Sequence, residues 1–187
     1  MVKTLQGVKS VLFARKHADA ETKEMQLVPY QTSLTFDPSR DGDSTVTKDG
    51  AVNTSSSVET DLEVEFINNT AAVSDELLQA IFDDELMDME IVRMDRSNAS
   101  GEYEAWYMQG HVSEDSNDND ADDHSTRDVS FSVDGTPKHG WTSLTTAQQD
   151  DVDYVFRGLN AVTTEDATGG GTAWNDTDNG VAADAAV

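Results

Sequence analysis

Four carboxylates recur at every second position of the segment 58–66, namely Glu59, Asp61, Glu63 and Glu65. The residues between them are apolar, apart from one threonine. Because successive side chains of a β-strand point to opposite faces, this pattern predicts a strand with one apolar face and one face made only of carboxylates. A catalytic pair of carboxylates needs two different environments that separate their pKa values. Four in a row on an open face lack that difference, so the pattern favours a solvated acidic face over a catalytic centre.

Other catalytic arrangements find no support in the sequence. The histidines, at positions 17, 111, 124 and 139, do not lie at metal-ligand spacing from one another, and no Gly-x-Ser-x-Gly element occurs. The chain has no cysteine, which excludes disulfides, thiolate metal sites and cysteine nucleophiles. We therefore expect a protein that is not an enzyme and that has no cofactor.

The aspartate-rich segment 114–123 is the strongest candidate for metal binding. Asp115, Asn117 and Asn119 match positions 1, 3 and 5 of a calcium-binding loop. The match fails at position 6, where Asp120 replaces glycine, and at position 12, where Thr126 replaces glutamate. We expect a solvated acidic loop, with weak binding of divalent cations as the alternative.

The net charge of −25 over 187 residues limits the possible partners. Affinity for nucleic acid depends on Lys and Arg neutralising phosphates, so a surface that grips phosphates is disfavoured. The charge is consistent with solubility or adaptation to high salt, with metal ligation, or with a surface that must not adhere to a polyanion. No apolar run approaches the roughly 20 residues of a membrane-spanning helix, and the start of the chain lacks the apolar stretch of a secretory signal.

Periodicity predicts which elements position these residues. Strands are predicted at 8–16, 25–36, 58–66, 86–94, 102–112 and 127–134. A short helix is predicted over 75–84 with Ser74 as its N-cap, and a second helix begins at Thr145, where Gln148 completes a capping box. These elements predict a mainly β fold, a β-sandwich or partly open barrel with one or two short helices on its flank. We expect it to span residues 1–162, followed by a flexible extension rich in Gly, Asp and Ala at 163–187.

The segment 37–57 is unusually long for a connection in a compact domain. It contains Asp-Gly turn signals at 41–42 and 49–50, which indicate an extended, hairpin-like arm. Its charges are mixed, with Arg40 and Lys48 among Asp41, Asp43 and Asp49. Such an arm can reach a complementary surface on another copy of the chain. A mobile surface loop would have the same composition.

The arm also carries a resemblance. Its string S-R-D-G-D-S-T-V-T-K-D-G-A-V-N at 39–53 resembles the signature region of major tail proteins from long-tailed, non-contractile phages of lactic-acid bacteria. Further segments of this likeness follow in order along residues 5 to about 160: L-Q-G-V-K at 5–9, S-V-E-T at 57–60, A-W-Y-M-Q-G at 105–110, F-S-V-D-G at 131–135, L-T-T-A-Q-Q at 144–149 and V-F at 155–156.

The resemblance implies a structural virion protein of the tail tube. Proteins of this kind form hexameric rings that stack into a hollow tube, with tape measure, tail terminator and tail tip proteins as partners. Assembly would take place in the host cytoplasm, and the genome would pass through the lumen without specific binding. The long loop, with Arg40, Asp41, Asp43, Lys48 and Asp49, would contact a neighbouring ring.

Alternation and charge then suggest where the carboxylates of 59–65 lie. A strand in a tube packs one face on the subunit core and can show the other to the channel, where carboxylates repel phosphates within a screening length of about 10 Å. We therefore interpret these carboxylates as facing the lumen, and the strong acidity as a sign of a salt-adapted host. The alternative is a free-standing acidic β-sandwich that binds calcium or carbohydrate, with Trp106 and Trp141 available as an aromatic platform.

Overall fold

Ten β-strands and two α-helices form most of the regular structure in this computed structural model, which describes residues 4–152, 156–163 and 165–175. Two short 3-10 helices lie at Gly7–Lys9 and His17–Asp19. The helices are α1 (Ala72–Asp83) and α2 (Thr146–Val152). The strands are β1 (Ser10–Lys16), β2 (Gln26–Leu27), β3 (Gln31–Ser39), β4 (Gly42–Thr47), β5 (Gly50–Ser55), β6 (Glu59–Ile67), β7 (Leu86–Ser97), β8 (Tyr103–Asp118), β9 (Thr126–Val133) and β10 (Lys138–Thr142).

Eight of these strands belong to one antiparallel sheet with the order β2-β1-β7-β8-β9-β6-β3, and β10 also pairs with β8. In the described part of the chain, the sheet does not close into a barrel. Both of its ends nevertheless contribute to one core, since Leu12 and Ala14 of β1 lie in the same buried cluster as Val64 and Phe66 of β6. The prediction of a mainly β, partly open fold with short helices is therefore confirmed.

The seam between the two ends of the sheet is bridged by one side chain. The Gln31 carboxamide accepts a hydrogen bond from Leu12 N (2.9 Å) and donates to Leu12 O (3.0 Å) and to Val28 O (2.8 Å). Leu12 O also accepts a hydrogen bond from Val28 N (3.0 Å), so the carboxamide extends the hydrogen bonding of β1 beyond the end of β2. Residues 28–30 separate β2 from β3, and Tyr30 has a positive φ of 57°. The single strand predicted at 25–36 is therefore two strands.

The long strand β8 connects the two halves of the sheet. Its first part pairs with β7 and β10, and its second part, from Gly110 to Asp118, pairs with β9. At Gly110 a Cβ atom would lie 2.2 Å from Ser132 O, so only glycine allows the two backbones to approach this closely. The pairing register of β8 and β9 shifts between Val112 and Glu114, where a bulge changes which residues share a face.

Helix α1 covers the core with Val73, Leu77 and Ala80. It begins at Ala72, and Ser74, which the sequence predicted as the N-cap, lies buried inside its first turn. That prediction is wrong, because the N-cap position is Ala71, which makes no side-chain capping hydrogen bond. Asn69, two residues earlier, holds the entry to the helix: its Oδ1 accepts hydrogen bonds from Ala71 N (3.0 Å) and from the Ser74 hydroxyl (2.9 Å).

The second unit of the chain begins at Thr145, and the first ends at Leu144. The predicted capping box is confirmed, since Thr145 N donates to Gln148 Oε1 (2.9 Å) and Gln148 N donates to Thr145 Oγ1 (3.3 Å). Phe156 and Leu159 are exposed beyond the end of α2, and Val155 lies outside the described residues.

Residues 165–171 of this unit form turns around Asp166. The hydroxyl and backbone N–H of Thr168 donate to Asp166 Oδ1 (2.8 and 3.0 Å), and Gly170 N donates to Oδ2 (2.9 Å). These hydrogen bonds, led by that of the Thr168 hydroxyl, hold the pKa of Asp166 below its usual value. The predicted flexibility of 163–187 stays a prediction, and residues 176–187 lie outside the described residues.

Candidate functional site

The half of the sheet formed by β3, β6, β9 and the second part of β8 has one buried face and one polar face. On β6, Leu62, Val64 and Phe66 are buried in the core, and the four carboxylates that alternate with them point away from it. The predicted two-faced strand is therefore present. The registers of the neighbouring strands extend its polar face across the half-sheet. We call this surface the acidic face; it consists of Ser33, Thr35, Asp37 and Ser39 of β3, Glu59, Asp61, Glu63 and Glu65 of β6, Asp128, Ser130 and Ser132 of β9, and Glu114, Ser116 and Asp118 of β8.

Carboxylates make up more than half of the acidic face, and none of its residues is a lysine or an arginine. Like charges also stand directly opposite each other, since Asp37 pairs with Asp61 and Glu65 pairs with Asp128. Each such pair destabilises a sheet by less than about 1 kcal/mol. The face is thus more acidic than folding stability favours.

Glu63 shows this repulsion most clearly. The negative charge of Asp128 and a hydrogen bond to it raise the pKa of Glu63, with smaller contributions from burial, Glu114 and Glu65. Asp128 Oδ1 is buried and has no hydrogen-bond partner among the described residues. A proton shared by the two carboxyl groups would satisfy it.

Sequence reasoning identified the β6 carboxylates but missed Asp37, Glu114 and Asp128 as members of the same face. The signal for Asp128 was present, because polar and apolar residues also alternate along 126–133. Glu114 could not be assigned in this way, because the bulge beside it reverses the alternation of β8.

The half-sheet ends in two open edges. Among the described residues, the outer edge of β3 has no partner strand, and neither does the edge of β8 beyond His111, where its pairing with β7 ends. One cross-strand row runs from Leu34 on β3 through Val64 and Val129 to Asp115 on β8. The two edges therefore overlap at the same height and run antiparallel to each other.

The predicted arm is a two-stranded hairpin, β4–β5, that pairs with no other strand in the described part of the chain. Every residue from 42 to 55 is exposed, including Val46 (84%) and Val52 (54%). Of the predicted contact residues, Arg40 and Asp41 lie at the base, Asp43 lies in β4, and Lys48 and Asp49 form the tip. The base is narrow, since Ser56 N donates to Asp41 O at 2.8 Å.

The calcium-loop candidates do not converge on a common point. Asp115 lies in strand β8, and both of its oxygens accept hydrogen bonds from the buried Arg127. Asn117 Oδ1 accepts from Asn68 Nδ2 (3.4 Å), and Asn119 Oδ1 accepts from the Ser125 hydroxyl (2.7 Å). No group of three or more His, Asp or Glu side chains in the described ranges could hold a metal ion. Because β8 continues to Asp118, the first part of the predicted acidic loop is strand.

A buried polar cluster on the other half of the sheet centres on Asp88. Its side chain is 1% exposed and accepts hydrogen bonds from His17 Nδ1 (2.8 Å), the Tyr107 hydroxyl (2.7 Å) and Arg15 Nε (3.1 Å). Burial alone would raise the pKa of Asp88, but these bonds, with a further one from Gln109, outweigh it and lower that pKa. The carboxylate of Asp88 therefore holds neighbouring strands together. Because its oxygens already accept these hydrogen bonds, it is not positioned to take a proton from a substrate.

The tryptophans do not form an aromatic platform. Trp106 is partly buried and packs between His139, at 4.3 Å between ring centroids, and Phe36, at 5.5 Å. Trp141 is half exposed on β10. A carbohydrate site on stacked aromatic rings is therefore not favoured. None of the helices in the described part of the chain has the length and apolar character needed to cross a membrane.

Comparison with solved structures places this fold among tube proteins. The chain is similar to the SPP1 tail tube protein, with a TM-score of 0.69 and 15% identity over 88% of this chain and 97% of that one. It is also similar to a chain from the tail of an empty gene transfer agent particle, solved with C6 symmetry, with a TM-score of 0.56 and 8% identity over 75% of this chain and all of that one. A third similar chain comes from the sheath–tube complex of an extracellular contractile injection system, with a TM-score of 0.52 and 12% identity over 74% of this chain and 93% of that one.

No curated protein matches the chain by sequence. A family model does, however: the model described as phage tail tube protein matches residues 4–139. This match covers well over half of the chain and includes the acidic face, both open edges and the hairpin. The chain belongs to the phage tail tube protein family and is a structural protein of the virion tail.

Proposed function

We propose that the chain assembles into closed rings that stack into a tube, and that the acidic face lines the channel. The observation that carries the proposal is the half-sheet described above, which combines an all-polar face with two complementary open edges.

The ring closes through these edges. Unpaired strand edges expose backbone N–H and C=O groups that can pair with another chain. The β3 edge of one copy can pair with the β8 edge of the next, and since the half-sheet has four alternating strands, this junction is antiparallel like the pairs within each copy. The contact joins two different surfaces of the chain, and such heterologous contacts form rings when the rotation between copies closes. A ring of six copies fits the C6 symmetry given for the gene transfer agent tail.

The acidic face then points inward. The opposite face of the half-sheet packs on the core, so only the acidic face is free to line a channel. A channel wall without Lys or Arg lets DNA pass without being held. A wall of Lys and Arg would bind phosphates and hold the genome in place. Carboxylates repel phosphates at short range, within about 10 Å at moderate salt. Glu59, Asp61, Glu63 and Glu65 would form the centre of this wall, and the genome would pass without specific binding.

The hairpin β4–β5 joins one ring to the next. It leaves the half-sheet between β3 and β6, so it extends along the strand direction, which is the stacking direction of such rings. Both of its faces are exposed, and an isolated two-stranded hairpin gains stability by packing on another surface. Arg40, Asp41, Asp43, Lys48 and Asp49 are the proposed charged contacts.

A tube of this type has further partners. The tape measure protein would occupy the channel during assembly in the host cytoplasm, and terminator and tip proteins would contact the two ends. The likeness to the SPP1 tail tube supports a long, non-contractile tail. Because stacking copies of charge −25 concentrates negative charge, salt should promote assembly, which fits a salt-adapted host.

Electron microscopy and sedimentation of the purified protein at low and high salt test this function. Rings or tubes, more abundant at high salt, are the expected result. A monodisperse monomer at every salt concentration that binds calcium or a glycan would contradict the proposal and support a free-standing binding module.

A further inference from the structure

Two apolar residues of α1 are exposed although the helix is packed on the core. Leu78 is 37% exposed and Phe82 is 75% exposed, and as i and i+4 neighbours they lie on one side of the helix. The other flank of the helix carries Glu76, which accepts a hydrogen bond from Lys23 Nζ at 3.1 Å in the segment after β1. Leu78 and Phe82 therefore face away from β1; we call them the knob.

The start of α1, the helix that carries the knob, lies beside the open edge of β8. Near the start of α1, Ser74 O accepts a hydrogen bond from Arg127 Nη1 (2.8 Å). The same guanidinium pairs with Asp115 on β8. Arg127 thus holds α1 close to this edge. If another copy adds a strand to β8, the residues beside that strand approach α1 on the side of Leu78 and Phe82.

A pocket lies beside the other open edge, that of β3. It has a volume of about 550 Å³ and is lined by the first part of β1, the residues before it and the first part of β3. Val8, Val11 and Leu34 supply apolar surface there, and Val8 is 77% exposed. Leu34 also begins the cross-strand row that ends at Asp115 on β8.

We propose that the knob of one copy inserts into this pocket on the next copy of the ring. This inference rests on the proposed ring. In that ring, the β8 edge of one copy pairs with the β3 edge of the next, and Asp115 of one copy lies at the height of Leu34 of its neighbour. The partner is a second copy because knob and pocket flank opposite edges of one half-sheet, as a head-to-tail ring contact requires. The contact forms a second, apolar layer behind the polar channel wall.

Cysteine cross-linking tests the contact in a chain that has no cysteine of its own. The double variant Val8→Cys with Phe82→Cys is assembled and treated with a short bis-maleimide. We expect a ladder of covalent oligomers that ends in a closed ring. A mixture of the two single variants should give dimers and no larger species, which shows that the link joins different copies. Each single variant alone is the control and should give no 8–82 link.

A second variant tests the contribution of the knob to assembly. Phe82→Asp should leave the subunit folded, because the side chain is mostly exposed, and should raise the protein concentration needed for assembly at least tenfold. Phe82→Leu, which keeps the apolar contact, should restore most of the assembly. Tubes of normal stability with Phe82→Asp, or tubes without the 8–82 link, would overturn the knob contact and leave the ring itself standing. Absence of rings in the unmodified protein would overturn both.

Discussion

Glu65 of β6 lies directly opposite Asp128 of β9, so two carboxylates form a cross-strand pair in the middle of the acidic face. Sheets usually place an apolar or oppositely charged residue at such positions, because like charges there are destabilising. The side chains on the opposite face of the same strands are buried in the core. The acidic face therefore does not contribute to this core, and its carboxylates do not stabilise the fold by burial. The pair is explained by the repulsion of phosphates that we propose for this face.

Removing the charge of Glu63, which neighbours this pair on β6, should stabilise the subunit at neutral pH. The pKa of Glu63 is raised, chiefly by Asp128, so the folded state takes up this proton at a higher pH than the unfolded state. Stability should therefore increase as the pH falls through the raised pKa of Glu63 towards its usual value. Glu63→Gln should raise the free energy of unfolding at neutral pH, seen as a higher denaturant midpoint, by less than about 1 kcal/mol because the site is exposed. It should also flatten this part of the pH dependence.

Glu59→Gln is the matched control, because Glu59 lies at the start of β6, before its pairing with β9 begins at Asp61, and therefore away from Asp128. Its effect on the midpoint at neutral pH should be smaller. A loss of stability in Glu63→Gln at neutral pH would contradict the repulsion between Glu63 and Asp128.

Replacing Gly110 should damage the junction between the two halves of the sheet. An added Cβ would lie 2.2 Å from Ser132 O and 3.0 Å from Val133 Cα, both backbone atoms that cannot rotate away. Gly110→Ala should lower the free energy of unfolding by about 2–4 kcal/mol, measured by denaturant titration. Gly140→Ala on β10 is the control, since nothing lies within 4 Å of its Cβ position. Equal stabilities of the two variants would show that the close approach at Gly110 is not required.

Deleting the hairpin should separate ring formation from stacking. The backbone groups of Asp41 and Ser56 are hydrogen-bonded, so residues 42–55 can be replaced by two glycines without stretching β3 or β6. The shortened protein should remain folded by circular dichroism and form rings that do not stack, as seen by electron microscopy. Tubes of normal length from this variant would refute the hairpin as the inter-ring contact.

Thiol accessibility should report which residues line the channel. Asp61→Cys, in the centre of the acidic face, should react with a bulky maleimide in the free subunit and be protected in long tubes. Glu21→Cys, on an exposed segment outside the acidic face, should react equally in both states. Equal reactivity of position 61 in subunits and tubes would place the acidic face outside the channel.

The parts of this account that depend on local pattern were predictable from sequence. Alternation along 58–66 identified β6 and its two faces, and Gln148 three residues after Thr145 identified the cap of α2. The limits of prediction came from tertiary contacts. The β10 sequence, Lys-His-Gly-Trp-Thr, shows no apolar alternation because its position depends on pairing with β8. Ser74 does not cap α1 because the helix begins two residues earlier, at Ala72, where Asn69 holds the entering chain through a hydrogen bond from Ala71 N.

The full extent of the acidic face was less predictable than its centre. Each strand shows its own alternation, but only the cross-strand register reveals that Asp37, Asp128 and Glu114 join the β6 carboxylates. Register is determined by bulges and by core packing between distant segments, and these are not visible in a single strand.

A helical reconstruction by cryo-electron microscopy of tubes grown from the purified protein tests the central claim most directly. We predict a continuous antiparallel barrel in which β3 of each copy pairs with β8 of the next and the side chains of Glu59, Asp61, Glu63 and Glu65 point into the channel. Tubes in which these four carboxylates lie on the outer surface, or in which other elements form the wall, would contradict the account.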